Sequence, residues 1–206
     1  TQHAIIKKAD LIEGRDNIHI QITPPDISQF TVLPVQSNTP SPTFYMISSG
    51  GFGTNNIDLL SITGEPPNAV ISSNAIPIKQ SNTPPQASQP GTPVKLDTLD
   101  GRISSASYFD GKIWATFTDR CFSPERSCIR LVEIDTQTNQ ALQDFNYAGQ
   151  NANIYHPALS IDKSGNLMIA FGISSSSIFP SIMATGRTIQ DDPNTCLLYT
   201  SDAADD

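Results

Sequence analysis

The chain has 206 residues, of which only 16% are charged, and acid outweighs base to give a formal charge of −8. An acidic balance argues against nucleic acid, which needs a basic patch to displace counterions from phosphates, and against anionic membrane surfaces. No run of about 18 apolar residues exists, so no membrane span is expected, and the length suits one domain of ordinary size.

Thr1-Gln2-His3 carries no initiator Met and no signal peptide, so the N-terminal end is expected to be cut. Ala4 to Glu13 has some helical spacing, and Asn17 to Thr23 alternates like a strand. Phe44 to Ser48 and Ile57 to Ile62 read as strands, separated by a loop that includes Gly50-Gly-Phe-Gly53. That loop lacks the Lys and the helix of a phosphate-binding loop. Asn74 to Leu96 holds Pro77, Pro84, Pro85, Pro90 and Pro93. Proline removes a ladder donor, so 74–96 is expected to be a connection over the surface rather than a central strand.

Arg102 to Thr118 (RISSASYFDGKIWATFT) and His156 to Gly172 (HPALSIDKSGNLMIAFG) form a degenerate repeat. Ala106 corresponds to Ala158, Gly111 to Gly165 and Phe117 to Phe171, with two extra residues in the second turn. Each copy is an alternating strand, a turn with Asp and Gly, and a second strand. After the first copy, Cys121 and Cys128 bracket a turn-prone loop. With no other Cys or His beside them they make a poor zinc site, and a disulfide is expected, which implies an oxidising compartment. Ile129 to Ile134, a turn at 135–139 and Gln140 to Phe145 form another strand pair, and Phe179 to Met183 begins one more strand.

The last residues, Cys196 to Asp206 (CLLYTSDAADD), resemble the translated read-through of a transposon-end sequencing adapter. They are expected to be a non-native tail, so that residues 1–195 are the natural part, truncated at both ends. The tail holds Asp202, Asp205 and Asp206 and no Lys or Arg, and removing those three charges from −8 leaves −5. Removing Cys196 leaves the cysteines as an even pair.

The repeats amount to parts of about four units, each with up to four short strands. A repeat of about 50 residues built from hairpins points to an all-β fold, an incomplete β-propeller whose stacked blades bury one another's apolar faces. The alternative is a β-sandwich.

Several segments together resemble a family of uncharacterised secreted bacterial proteins with a sialidase-like β-propeller. They are Lys8-Ala-Asp-Leu11, Gln89-Pro-Gly91 with Leu96-Asp-Thr98, the hairpin from Asp110-Gly111 to Trp114-Ala115, Ser160 to Phe171, and Ser181 to Arg187. The resemblance implies a secreted or cell-surface propeller, continuing beyond this chain with a Trp-Gly-Asp-Tyr stretch. Ser160, Asp162 and Gly165 are similar to the Asp-box turn of such propellers, with Met168 where an aromatic residue is usual. That turn is structural rather than catalytic.

Little chemistry is written in the sequence. A sialidase would need three arginines for the substrate carboxylate, a Tyr–Glu pair and an acid Asp, because carboxylates or an activated Tyr do the work of glycoside cleavage. Arg15, Arg102, Arg120, Arg126, Arg130 and Arg187 sit in no such motif. The segment from Asp162 to Asn166 resembles a calcium loop, but its Gly is misplaced and no Glu closes it. His3, His19 and His156 are scattered, and Ser174 to Ser177 contains no nucleophile elbow. No metal and no cofactor are expected. Trp114 is expected to be core. Tyr155 and His156, before the strand expected to be innermost in its blade, are candidate binding residues, and so is Arg187 at a strand end. The function expected is an extracellular binding or scaffold module for a glycan or protein partner. The alternative is a sialidase-like glycoside hydrolase.

Overall fold

Short alternating runs separated by Gly, Pro and Asp turns fold as strands, since side chains of a strand point to opposite faces in turn. The computed structural model describes residues 2–26, 31–49, 53–122 and 124–199. Gly50, Gly51 and Phe52 of the glycine loop, and 200–206 of the tail, lie outside the described residues.

In chain order the elements are β1 (Ala4–Ile6), α1 (Lys8–Ile12), β2 (Ile20–Ile22), β3 (Leu33–Pro34), β4 (Gln36–Ser37), β5 (Phe44–Ser49), β6 (Asn56–Thr63) and β7 (Val70–Pro77). They continue as β8 (Ser105–Phe109), β9 (Lys112–Cys121), β10 (Arg126–Asp135), β11 (Gln140–Tyr147), β12 (Asn153–Ile161), β13 (Leu167–Ser174), β14 (Ser181–Arg187) and β15 (Leu197–Tyr199). The strand β7 was not expected. It takes in 74–77, the first residues of the expected proline-rich connection. Pro77 is tolerated there because β7 is an edge strand and Pro77 is its last residue. The rest of that connection carries a single isolated bridge, Ala87 to Leu96.

Among the described residues the strands form three larger sheets and one ribbon. The ribbon is β1-β2, the first sheet β3-β5-β6-β7, the second β11-β10-β9-β8-β4 and the third β12-β13-β14-β15. Neighbours are antiparallel except β4, which lies parallel to β8. None of the sheets closes on itself. The structure is an all-β stack.

The second sheet is covered on both faces. Ile113, Ala115, Phe117, Val132 and Ile134 pack with Ile47, Ile57, Leu59 and Ile76 of the first sheet. Trp114, Ile129 and Leu131 alternate with them and pack with Ile154, Leu159, Ile161, Leu167, Ile169 and Phe171 of the third. Phe117, fully buried, contributes about 2–3 kcal/mol by leaving water. Phe117 and Phe171, equivalent in the sequence repeat, thus face the same way, each toward the preceding sheet. The Asp110-Gly111 turn has φ of +45° and +84°, the twist a two-residue hairpin demands. In the longer turn Gly165 has φ +83°.

Cys121 and Cys128 are bonded to each other, with Cα atoms 5.8 Å apart across β9 and β10. Arg130 forms the polar centre between the first and second sheets. Its guanidinium donates to Asp119 (2.9 Å), to both oxygens of Asp144 (2.6 and 2.9 Å) and to the Lys79 carbonyl (2.7 Å). Burial opposes its charge, but Asp144 and Asp119 outweigh that and raise its pKa. Asp119 also accepts the Asn82 N–H (2.8 Å), and Arg120 donates to the Thr83 carbonyl (2.8 Å). This network sews the start of the connection onto the sheet.

The segment β3-Val35-β4 belongs to two sheets at once. Val35 N–H donates to Tyr45 of the first sheet (3.0 Å), and Asn38 N–H donates to Tyr108 of the second (3.0 Å). The Asn38 side-chain amide donates to Ser107 Oγ (3.1 Å) and to the Ile161 carbonyl of the third sheet (2.7 Å).

Leu197–Tyr199, in the segment that resembles an adapter, pairs with β14. A bare strand edge accepts almost any short extended segment, so this pairing does not bear on where those residues come from.

Candidate functional site

The sequence candidates do not converge. Tyr155 pairs with Gly172 near one end of the β12-β13 hairpin, whereas Arg187 pairs with Leu167 at the other end. Gly172 and Leu167 are five positions apart along β13, about 17 Å at strand rise. Both Tyr155 and His156 lie inside β12, which is an edge strand, rather than before it.

At the Tyr155 end the chain is arranged for packing. The Tyr155 ring is buried over Gly172, where a Cβ would come within 2.7 Å of it. This close approach explains the glycine. His156 sits at a bulge with φ +53°, its ring edge-on to Tyr155 at 5.3 Å. Its N–H donates to Thr118 Oγ1 (3.1 Å), and its Nε2 lies 3.1 Å from the Asp97 carbonyl oxygen. The exposed imidazole thus holds the loop before β8.

At the other end Arg187 lines a cavity of about 330 Å³ between the second and third sheets. One wall is the β8-β9 hairpin, with Phe109, Lys112 and Trp114. Glu133 and Gln143 come from β10 and β11, and Ser164 and Gly165 from the β12-β13 turn. The strand register explains the convergence. Trp114 and Gln143 both lie opposite Glu133, and all three point to the third sheet. Phe109 and Ile189 would lie 3.1 and 2.9 Å from a Cβ at Gly165, so the turn is pressed against the rim.

The polar groups of this cavity form a chain. Lys112 Nζ lies 3.4 Å from Glu133 Oε1, and Gln143 Nε2 donates to Glu133 Oε2 (2.5 Å). Arg187 donates to Gln143 Oε1 (2.6 Å) and to the Asp191 carbonyl (3.1 Å), and its guanidinium carbon stands 5.5 Å from the centre of the Trp114 ring. Trp114, expected to be core, does pack in the core, edge-on to Phe145 at 6.5 Å, and also reaches this cavity. Lys112, Glu133 and Gln143 were not singled out from the sequence. The signal for Glu133 was a carboxylate within the apolar run Ile129 to Ile134.

The turn at Asp162 is held by its own backbone. Asp162 accepts the N–H groups of Ser164 (2.8 Å) and Asn166 (2.9 Å) and the Asn166 side-chain amide (2.8 Å). The Asn166 hydrogen bonds, side chain and then backbone, hold its carboxyl below the usual range. A carboxylate surrounded by N–H donors serves a turn rather than a cation. No cluster of three His, Cys, Asp or Glu suited to a metal occurs among the described residues.

A larger opening, about 770 Å³, separates the N-terminal ribbon from the first sheet. Ile5, Phe44, Met46 and Ile62 line it, and its Lys7 is already paired with Glu65 at 2.5 Å. It is a loosely filled seam. Cys196 is half-buried near Arg187, and desolvation pushes its thiol pKa up to about 11. Among the described residues no helix is long and apolar enough to cross a membrane. Comparison with protein-family models, curated proteins and solved structures gives no match.

Proposed function

We propose that the chain is part of an extracellular, sialidase-like β-propeller that acts as a binding or scaffold module for a glycan or protein partner. The observation that carries this is the repeated stacking. Successive meanders lie face to face, and the equivalent residues Phe117 and Phe171 both face the preceding sheet. A sandwich pairs two sheets, whereas here the middle sheet is covered on both faces, as a blade is. The disulfide fits an oxidising compartment. A scaffold role is favoured over hydrolysis because the buried carboxylate that lines the cavity, Glu133, is engaged by Gln143 and Lys112.

Electron microscopy of the full-length gene product tests the architecture. A ring of radial sheets is expected, and an open two-sheet sandwich would overturn it. A fluorogenic sialoside tests the function. No turnover is expected, and cleavage would overturn the binding-only reading in favour of a hydrolase.

A further inference from the structure

The layers of this chain stack in one repeated sense. Ile5 of the ribbon packs with Met46, Leu60 and Ile62 of the first sheet, and Gln21 exchanges two hydrogen bonds of 2.8 Å with the Ala69 backbone. The other face of the first sheet meets the second sheet, and the second meets the third. Each contact joins the leading face of one layer to the trailing face of the next. Among the described residues two faces of this series have no covering layer, the trailing face of the ribbon and the leading face of the third sheet.

Both are apolar strand faces. On the ribbon the register sets Ile6 opposite Ile20 and Ala4 opposite Ile22, on the side away from Ile5 and Gln21. Ile20 is 49% exposed and Ile22 65%, and Leu11 and Ile12 of α1, between the two strands, are exposed as well. On the third sheet Met168 and Ile182 flank the smaller Ala158, Ala170 and Ala184. The sequence repeat puts Met168 and Ala170 where the second sheet has Trp114 and Thr116, both buried. Smaller side chains on this face leave room for larger ones from the layer that covers it. The isoleucines of the ribbon are of that kind. Apolar strand faces of this sort mark sites of association.

We infer that two copies of this chain close on each other head to tail, the third sheet of each docking on the ribbon of the other. The pairing continues the stacking sense already present inside each copy. A head-to-tail contact gives a ring where its rotation closes and an open filament where it does not. Closure rests on the propeller reading, in which the layers turn about an axis. Two copies hold six sheets and two ribbons, and closed propellers have about four to eight blades.

Sedimentation equilibrium on the chain tests it. The wild type should form a dimer that grows no further as concentration rises. Ile20→Glu with Ile22→Glu alters the ribbon, and Met168→Glu with Ile182→Glu alters the third sheet. Either variant alone carries a carboxylate in both contacts of its dimer, and its dissociation constant should rise about a hundredfold. Mixed in equal amounts, the two variants should form heterodimers, because one of the two contacts then has both faces intact. Recovery on mixing also shows that both variants fold. If the ribbon pair unfolds, the milder Ile22→Ser takes its place. A monomeric wild type, assemblies that keep growing, a folded ribbon variant as dimeric as the wild type, or folded variants that do not associate on mixing would each overturn closure. A monomeric chain alongside a ring in the full-length gene product would overturn the dimer and leave the propeller standing, whereas an open sandwich would overturn both.

Discussion

Single charged side chains inside apolar strands organise this molecule. Arg130 and Asp119 occupy strand positions whose neighbours are core residues; Asp119 is tolerated because Arg130 meets it, and Arg130 because Asp119 and Asp144 both do. Replacing a buried pair can be harmless, but removing one partner leaves an uncompensated charge. Asp119→Ala should therefore destabilise the fold by about 3 kcal/mol, read as a lower urea midpoint. It should also free the Asn82 N–H and loosen the start of the connection. The turn carboxylates act through pH. The Asp162 carboxyl is held below its ordinary range by Asn166. Its contribution is complete above the unfolded value of about 3.9 and is lost as pH falls through the folded value. Melting temperature should drop on acidification below about pH 4, and Asp162→Asn should flatten that drop. A mutant with the unchanged acid profile would show that Asp162 does not contribute.

The hairpins were the elements most legible in the sequence, because period-two alternation and an Asp-Gly turn are local signals. The elements from β8 to β13 follow the segments expected from the repeat, with strands extended by a few residues at their ends. The strand β7 was hidden because Ser72, Ser73, Asn74 and Pro77 dilute its pattern, and it holds as an edge strand through its register with β6. The segment Ala4 to Glu13 showed helical spacing but splits into β1 and the five-residue α1, since β1 finds a partner in β2. The cavity was not legible, because Lys112, Glu133, Gln143 and Arg187 come from four strands and meet only through register. The disulfide, in contrast, follows from spacing. It closes a loop of sequence separation 7 between two strands already paired. Loop-closure entropy for so short a loop gives about 2.5 kcal/mol. The double variant Cys121→Ser with Cys128→Ser should lose about that much stability in denaturant unfolding. Protein exported to an oxidising compartment should gain one pair of hydrogens in mass on reduction.

At the scale of the whole molecule, the stack has an outward apolar face on its third sheet. Met168 is 58% exposed and Ile182 84% exposed, while Ala158 and Ala170 lie between them on the same face. In the second sheet the equivalent face is covered by the third. An uncovered face of this kind, beside strand edges, promotes association. The chain should form concentration-dependent oligomers in sedimentation experiments, and Met168→Glu with Ile182→Glu should shift it to monomer. A wild-type monomer at high concentration would show that the face tolerates water.

The strap from Leu33 to Asn38 has a consequence in time rather than in space. Its first half pairs with nearby β5, but the partners of its second half lie far along the chain, at separations of 71 residues for Gln36 with Ser107 and 123 for Asn38 with Ile161. Contacts of such long range carry their closure entropy before any reward arrives. The Asn38 end can dock fully only after β8 of the second sheet and β12 of the third are in place, so it records a late step of assembly. Asn38→Ala should leave early hairpin formation alone and slow the final phase. During synthesis the strap emerges before the second and third sheets, and its Asn38 end must wait for both. The interval between those two events is when this chain is most exposed to pairing with the wrong neighbour.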